Sequence, residues 1–309
     1  MEIEPRPYRD ETDLDKIGDL LRAGLTSANG THYDHTGNLY WSLYYASEGD
    51  VRKNLTLWDD PHHPDRILAW ALFEPGWGAF YVFFQPELRR SPLAETIFSW
   101  AEDHITALVQ AAGQEAIHTD YIADHDDVAI ARLLAHGFQR TQADTVYMTR
   151  SLTGPLPQPA LLDGYTVRGC RGEAEVIARA TSQYNAFDNT MPFERYVARF
   201  RSFMQSHVYD PELDVVAVAP DGRIGSFCIV WPDSQIKVGL FEPVGTHPDF
   251  QRRGLGKAVM SEALRRLQVR GMERAIVSTT AKNTAGIKLY EAVGFRIIQR
   301  LGTYEKKLV

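Results

Sequence analysis

Apolar side chains in the last third of the chain recur at helical spacing. Leu255, Val259, Ala263, Leu264 and Leu267 form one stripe, and Arg265, Arg266, Arg270 and Gly271 mark where that helix stops. Upstream, residues 173–187 keep the same period, and residues 193–204 place Phe193, Tyr196, Val197 and Phe200 on one side. Residues 215–219, 224–231 and 237–246 are instead β-rich runs, divided by turn signals such as Pro220-Asp221-Gly222. A strand at 165–168 precedes them. A strand at 275–279, a helix at 284–293 and a final hairpin follow. The order βααβββαβαββ predicts an α/β fold, a mixed and mostly antiparallel sheet with helices on both faces.

The first half repeats this plan. Residues 126–138 (DDVAIARLLAHGF) run in step with residues 283–295 (NTAGIKLYEAVGF), and each segment ends in Gly-Phe. At equal spacing beyond each Phe come Tyr147 and Tyr304, each followed by a short basic strand that ends in Leu, Leu152 and Leu308. Residues 85–98 align without gaps to residues 247–260, again after a strand and before an amphipathic helix. Pro155, Pro157 and Pro159 with Gly154 make residues 151–163 a stiff connector. Two tandem domains are expected, 1–150 and 164–309.

Composition narrows the class. A chain of 309 residues, 44% hydrophobic and 24% charged, suffices for two cores. The net charge of −7 argues against a nucleic-acid partner. No apolar run is long enough to span a membrane, and the charged start does not resemble a signal peptide. Cys170 and Cys228, each in an apolar stretch, are expected to be reduced structural thiols, as in a cytoplasmic protein. His32, Asp34, His35, His62 and His63 have loosely metal-like spacing, but a solvated polar loop is the expectation and no metal site is assigned.

Candidate chemistry begins at Gln251, Arg252, Arg253, Gly254, Leu255, Gly256 and Lys257, which join a strand directly to a strong helix. No Ser, Thr, Asp or Asn caps that helix, so its first N–H groups are left for another acceptor. Two glycines allow close approach, and the helix end and arginines add positive charge, a combination suited to a diphosphate. Val259 excludes the dinucleotide fingerprint. A Walker loop would need Gly at 251 and Ser or Thr at 258, where Gln251 and Ala258 stand.

This loop, the preceding FEPVGTHPDF and the later NTAGIKLYEAVGF resemble the signature segments of the GNAT superfamily of N-acyltransferases. The resemblance implies two GNAT-like acyltransferase domains with acetyl-CoA as cosubstrate. Its pyrophosphate would lie on residues 251–257 and its pantetheine arm along the backbone of Val244, Gly245 and Thr246, with Asn283 a further contact. Pro243 independently marks a bulge or a strand that parts from its neighbour. Asn283 is also the expected N-cap of the following helix.

Amide formation from a thioester needs a base for the ammonium and an acid for the leaving thiolate. Glu242, a carboxylate in an apolar strand two positions before Val244, is the candidate base. The GNAT pattern implies that Tyr290 is the acid, and Gly286 is expected to leave room for a ligand beside it. Asp188 and Tyr184, in the variable region around the first two helices, are candidate acceptor contacts. In the first half Pro92 and Ala94 replace the loop glycines, Phe80 replaces Glu242 and Leu133 replaces Tyr290, so that half is expected to be a degenerate domain. The implied activity is acetyl transfer to a primary amine of a small molecule or peptide, by direct attack in a ternary complex, in a monomer or homodimer. A non-catalytic acyl-CoA sensor is the alternative, although it would need neither Glu242 nor Tyr290.

Overall fold

The computed structural model describes residues 3–27, 32–46, 51–156, 158 and 163–308; Pro157 and Pro159 of the connector lie outside these. The first half contains β1 (Arg6–Pro7), α1 (Glu11–Thr26), α2 (Thr36–Trp41), β2 (Leu55–Asp59), β3 (Ile67–Glu74), β4 (Ala79–Phe84), α3 (Pro92–Ala111), β5 (Ala116–Ala123), α4 (Asp127–Ala135) and β6 (Gln139–Ser151). The second half contains β7 (Thr166–Gly169), α5 (Val176–Ala186), α6 (Phe193–Met204), β8 (Asp214–Val218), β9 (Ile224–Asp233) and β10 (Val238–Thr246). It continues with α7 (Leu255–Val269), β11 (Arg274–Thr280), α8 (Thr284–Ala292) and β12 (Arg296–Lys307).

All the strands join one 12-stranded sheet in the order β1-β2-β3-β4-β5-β12-β6-β11-β10-β9-β8-β7. Under the sequence repeat β1 corresponds to β7, β2 to β8, and so on to β6 and β12. Read from either end, the order is therefore the same, and the two halves are related by a pseudo-twofold axis between β6 and β12. The last strands are exchanged. β6 lies against β11, and β12 lies against β5. Leu152 accordingly packs in the core of the second half and Leu308 against that of the first. Their N–H groups bond in matching fashion, Leu152 to the Glu273 carbonyl at 2.8 Å and Leu308 to that of Glu115 at 2.7 Å.

The expected final hairpin is corrected by this arrangement. Residues 296–307 form a single strand paired on both sides, because the hydrogen bonds a hairpin partner would supply come from β5 and β6 of the other half. The helix expected at 173–187 is divided, with one tight turn at Gly172–Glu175 before α5.

Strand alternation feeds cores on both faces. Val215 and Ala217 pack with α7, and Val216 between them packs with α5 and α6. In the first half Trp58, Ala69 and Phe73 pack with α3, while Leu57, Trp70 and Leu72 face α1. Tyr44, just after α2, touches both the α1 core and the α5–α6 core. The first half thus reaches over the face of the sheet where the second half carries β10.

Candidate active site

β10 and β11 run parallel and pair only from Val238↔Arg274 to Leu240↔Ile276. Beyond Leu240 the two strands part. The register of β10 against β9 also shifts there, between Phe241 and Val244, a bulge at the position of Pro243. Past the bulge Val244, Gly245 and Thr246 remain paired to Cys228, Phe227 and Ser226 on β9, and their other edge faces the gap. Gly245 is required on packing grounds, because a Cβ there would lie 2.3 Å from the Phe227 ring.

The loop after β10 leads to α7. Its N-cap, Gly254, is left-handed at φ 76°, and no side chain caps the helix. Arg252 is left-handed as well, at φ 60°, and alternation of this kind gathers N–H groups into an anion-binding hollow. Among the described residues no backbone acceptor takes the N–H groups of Arg252, Arg253, Gly254, Leu255, Gly256 or Lys257. Arg252 and Lys257 make no ion pair among the described residues, and Arg253 donates to the Tyr165 hydroxyl at 3.1 Å. Gly256 seats the helix start against the end of β10 and against α8, since a Cβ there would meet Leu289 at 3.1 Å and Thr246 Oγ1 at 3.3 Å.

The corresponding loop of the first half is closed by its own side chains. Ser91 caps α3 by accepting from the Ala94 N–H at 3.2 Å, and Pro92, the first residue of the helix, has no N–H. Arg89 is buried in an ion pair, its Nη2 within 2.6 Å of Asp126. Phe80 and Leu133 are core residues.

Asn283 caps α8, accepting from the Gly286 N–H at 2.9 Å while donating to Thr279 Oγ1 at 2.9 Å. The expected ligand space at Gly286 is instead occupied by this cap, because a Cβ there would sit 2.5 Å from Asn283 Nδ2. Tyr290 projects from α8 into the core, packed near Phe295 and 6% exposed. Its hydroxyl makes no hydrogen bond among the described residues. Burial, and then the Glu242 carboxylate, push its pKa up, so it stays protonated at neutral pH.

Glu242 lies at the bulge and lines a cavity of about 330 Å3. Its carbonyl accepts from Trp231 Nε1 at 2.7 Å, and its carboxyl is pushed up to about 7, first by burial and then by the nearby charge of Asp34. The opposite wall comes from the first half, with His32, Asp34, Tyr81, Asp120 and Tyr121, and from Tyr147 on the exchanged strand β6. The segment around His32 is therefore not a solvated loop. His35 is 1% exposed and accepts from the Gly37 N–H at 3.0 Å. Asp34 accepts from the Asn38 amide and the His35 N–H, and burial raises it to about 6. Burial also holds His32 neutral, with a pKa near 4. Among the described residues no His, Cys, Asp and Glu cluster has metal-binding geometry. His62 and His63 sit apart, in a turn ordered by Asp60.

Tyr184 and Asp188 are not brought to this cavity. The Tyr184 hydroxyl donates to the Met191 carbonyl at 2.9 Å, and Asp188 is an exposed, left-handed turn residue at φ 51°. The wall residues from the first half had one legible signal. Glu74 ends the apolar strand ILAWALFE and Asp120 interrupts AIHTDYIA, which is the same sign, an acid in an apolar strand, that pointed to Glu242.

Residues 180–295 match the acetyltransferase (GNAT) family. The mycothiol acetyltransferase of Salinispora tropica is 29% identical over 177 residues, which is 55% of this chain and 58% of that protein. The match thus spans less than two thirds of that relative. Over nearly the whole chain the fold is similar to that of a tandem GNAT protein from the clavulanic acid biosynthesis pathway. Its TM-score is 0.71 at 14% identity, with 99% of this chain and 98% of that one covered. A GCN5-related N-acetyltransferase from Sphaerobacter thermophilus gives a TM-score of 0.68 at 22% identity, covering 99% of this chain and 95% of that one. Residues 180–295, which carry the parted strands, the open helix start and Tyr290, are an acetyltransferase domain of the GNAT family, set within a tandem GNAT fold.

Proposed function

We propose that the protein transfers the acetyl group of acetyl-CoA to a primary amine by direct attack in a ternary complex, at one site in the second half. The observation that carries this reading is the uncapped helix start beside the break between β10 and β11; β4 and β5 part likewise, pairing only at Ala79↔His118, but the helix that follows them is capped by Ser91. The uncapped start is cationic, and Glu242 faces a cavity at the break between β10 and β11.

Acetyl-CoA fits these residues. The N–H groups from Arg252 to Lys257 hold the pyrophosphate, with Arg252, Arg253 and Lys257 adding charge. The free edge of Val244, Gly245 and Thr246 pairs with the pantetheine amides, and Asn283 keeps one amide hydrogen for the same arm. The cosubstrate supplies an activated acyl thioester. The amine enters from the cavity between the halves and loses a proton to Glu242, directly or through a water. Near pH 7 that carboxyl is about half ionised, so it can both take the proton and release it to solvent. Tyr290, held protonated by burial, protonates the departing thiolate.

The first half, residues 1–150, is a degenerate domain that supplies the acceptor wall and binds no acetyl-CoA. The described residues include no helix long and apolar enough to cross a membrane. Cys170 and Cys228 are buried and unpaired, which suits the reducing cytoplasm. The test is to incubate the chain with acetyl-CoA and a panel of primary amines, following free thiol and the mass of the acetylated product. Amine-dependent thiol release with matching product supports the reading. Acetyl-CoA binding without turnover of any amine would favour a sensor.

A further inference from the structure

The cavity at Glu242 is larger than one reacting nitrogen requires. Its volume of about 330 Å3 is that of a site enclosing a small organic ligand. Tyr121 is one of the residues that line it. This residue is left-handed, at φ 64°, a conformation that bulky side chains seldom adopt. Strand alternation in β5 would bury it, as it buries Ile117, Thr119 and Ala123, yet Tyr121 is 44% exposed and lines the cavity. The Tyr81 ring stacks on it at 6.3 Å, and His32 lies 6.1 Å away.

Four carboxylates act on the Tyr121 hydroxyl: Asp34, Asp120, Glu242 and Glu74. One imidazole opposes them, His118, whose pKa is raised first by its contact with Asp120 and which also acts on Glu74. His118 is 3.6 Å from Asp120, and His32 is neutral. Arg89 and Arg132, at the far end of the cavity, are engaged by Asp126 and Glu95. Asp120 accepts from Thr303 and Tyr81 without being neutralised by either. The Trp70 indole, 2% exposed, lines the same cavity, and its N–H is buried without a partner. A buried donor of this kind calls for a ligand atom with a lone pair.

We propose that the acceptor carries, beyond the nitrogen that is acetylated, a second cationic nitrogen held by Tyr121, Asp120 and Glu74. This rests on the acetyl-transfer reading and deepens it by naming the acceptor class, amines with at least two positive charges. One ammonium meets Glu242 and Asp34, where it loses its proton and is acetylated. The other remains charged, between the Tyr121 ring face and two carboxylates, an arrangement that favours a cation on both counts. A neutral group in its place would leave Asp120 and Glu74 to share the single imidazole of His118.

The test compares two acceptors that differ only in the second charge, 1,5-diaminopentane and 5-amino-1-pentanol, using the full chain with acetyl-CoA at pH 7.5. The diamine is expected to show a kcat/KM at least about 10-fold higher, the scale of one charge-assisted contact. In Glu74→Gln and Asp120→Asn that ratio falls toward one. Glu74→Gln is the cleaner variant, since Asp120 also anchors Thr303. Equal kcat/KM for the two amines, or a ratio unmoved by Glu74→Gln, overturns the inference and leaves the acetyl-transfer reading standing. Acetylation of neither amine in the presence of bound acetyl-CoA counts against acetyl transfer itself, and the inference falls with it.

Discussion

Replacing Glu242 by glutamine removes a carboxyl that the fold holds in an unfavourable place, so the variant loses activity and gains stability in a defined pH window. The carboxyl rises from an ordinary value of 4.5 to about 7 in the folded chain. Because the folded value is the higher one, the native state binds the extra proton between those limits. Its stability is full below 4.5 and declines as pH rises toward 7. A shift of that size corresponds to about 3 kcal/mol. Solvent reaching the carboxylate through the cavity reduces this to about 1–2 kcal/mol. Glutamine does not titrate there, so Glu242→Gln should match the parent in urea unfolding at pH 4.5 and exceed it by that margin at pH 8. The same carboxylate should appear in kcat/KM. Its ionised fraction climbs from about one tenth at pH 6 to about nine tenths at pH 8, giving a break near pH 7 that the glutamine variant lacks. Equal stability margins at both pH values, or a break that persists in Glu242→Gln, would refute the assignment of a raised, proton-accepting carboxyl.

Tyr290→Phe should lower kcat by roughly 10- to 1,000-fold with little change in acetyl-CoA affinity, the signature of a lost general acid; single-turnover kinetics would reveal it. Asp34→Asn removes the like charge facing Glu242, so the break in the kcat/KM profile should move below pH 7, and an upward or absent shift would contradict that placement. Asp214 and Arg179 are both 0% exposed and joined at 2.8 Å. Asp214→Ala strands a buried guanidinium and should cost about 3–5 kcal/mol in denaturant unfolding.

What the sequence made legible was local. The periodicity of α7, the turn at Pro220-Asp221-Gly222, the bulge at Pro243 and the uncapped start at Gly254 all depend on residues close together in the chain, and each lies where the pattern put it. The internal repeat also showed that residues 126–138 and 283–295 would form equivalent elements; Gly137 and Gly294 are indeed both left-handed, at φ 83° and 91°. Exchange of β6 and β12 was hidden, because either strand satisfies the same alternation against its own half or the other. That ambiguity also hid which residues line the cavity at Glu242. Tyr184 and Asp188 belong to the same half as Glu242, yet the cavity beside Glu242 is lined by Asp34, Asp120 and Tyr121 from across the pseudo-twofold axis. The His32–His35 segment looked solvated for the same reason, since the second half that buries it lies some 200 residues on, as the contact of His35 Nε2 with the Val238 carbonyl at 3.3 Å shows.

Calorimetric titration of the full chain with acetyl-CoA decides whether there is one working site, in the second half. One molecule should bind per chain. Gly254→Pro takes away one pyrophosphate donor and cannot keep the left-handed turn at φ 76°; at about 1.5–3 kcal/mol for each charge-assisted bond lost, affinity should fall at least 10-fold. Pro92→Gly in the first half should leave the stoichiometry at one, since Ser91 and the Arg89–Asp126 pair still close that loop. Two molecules per chain, or undiminished binding in Gly254→Pro, would contradict one working site in the second half.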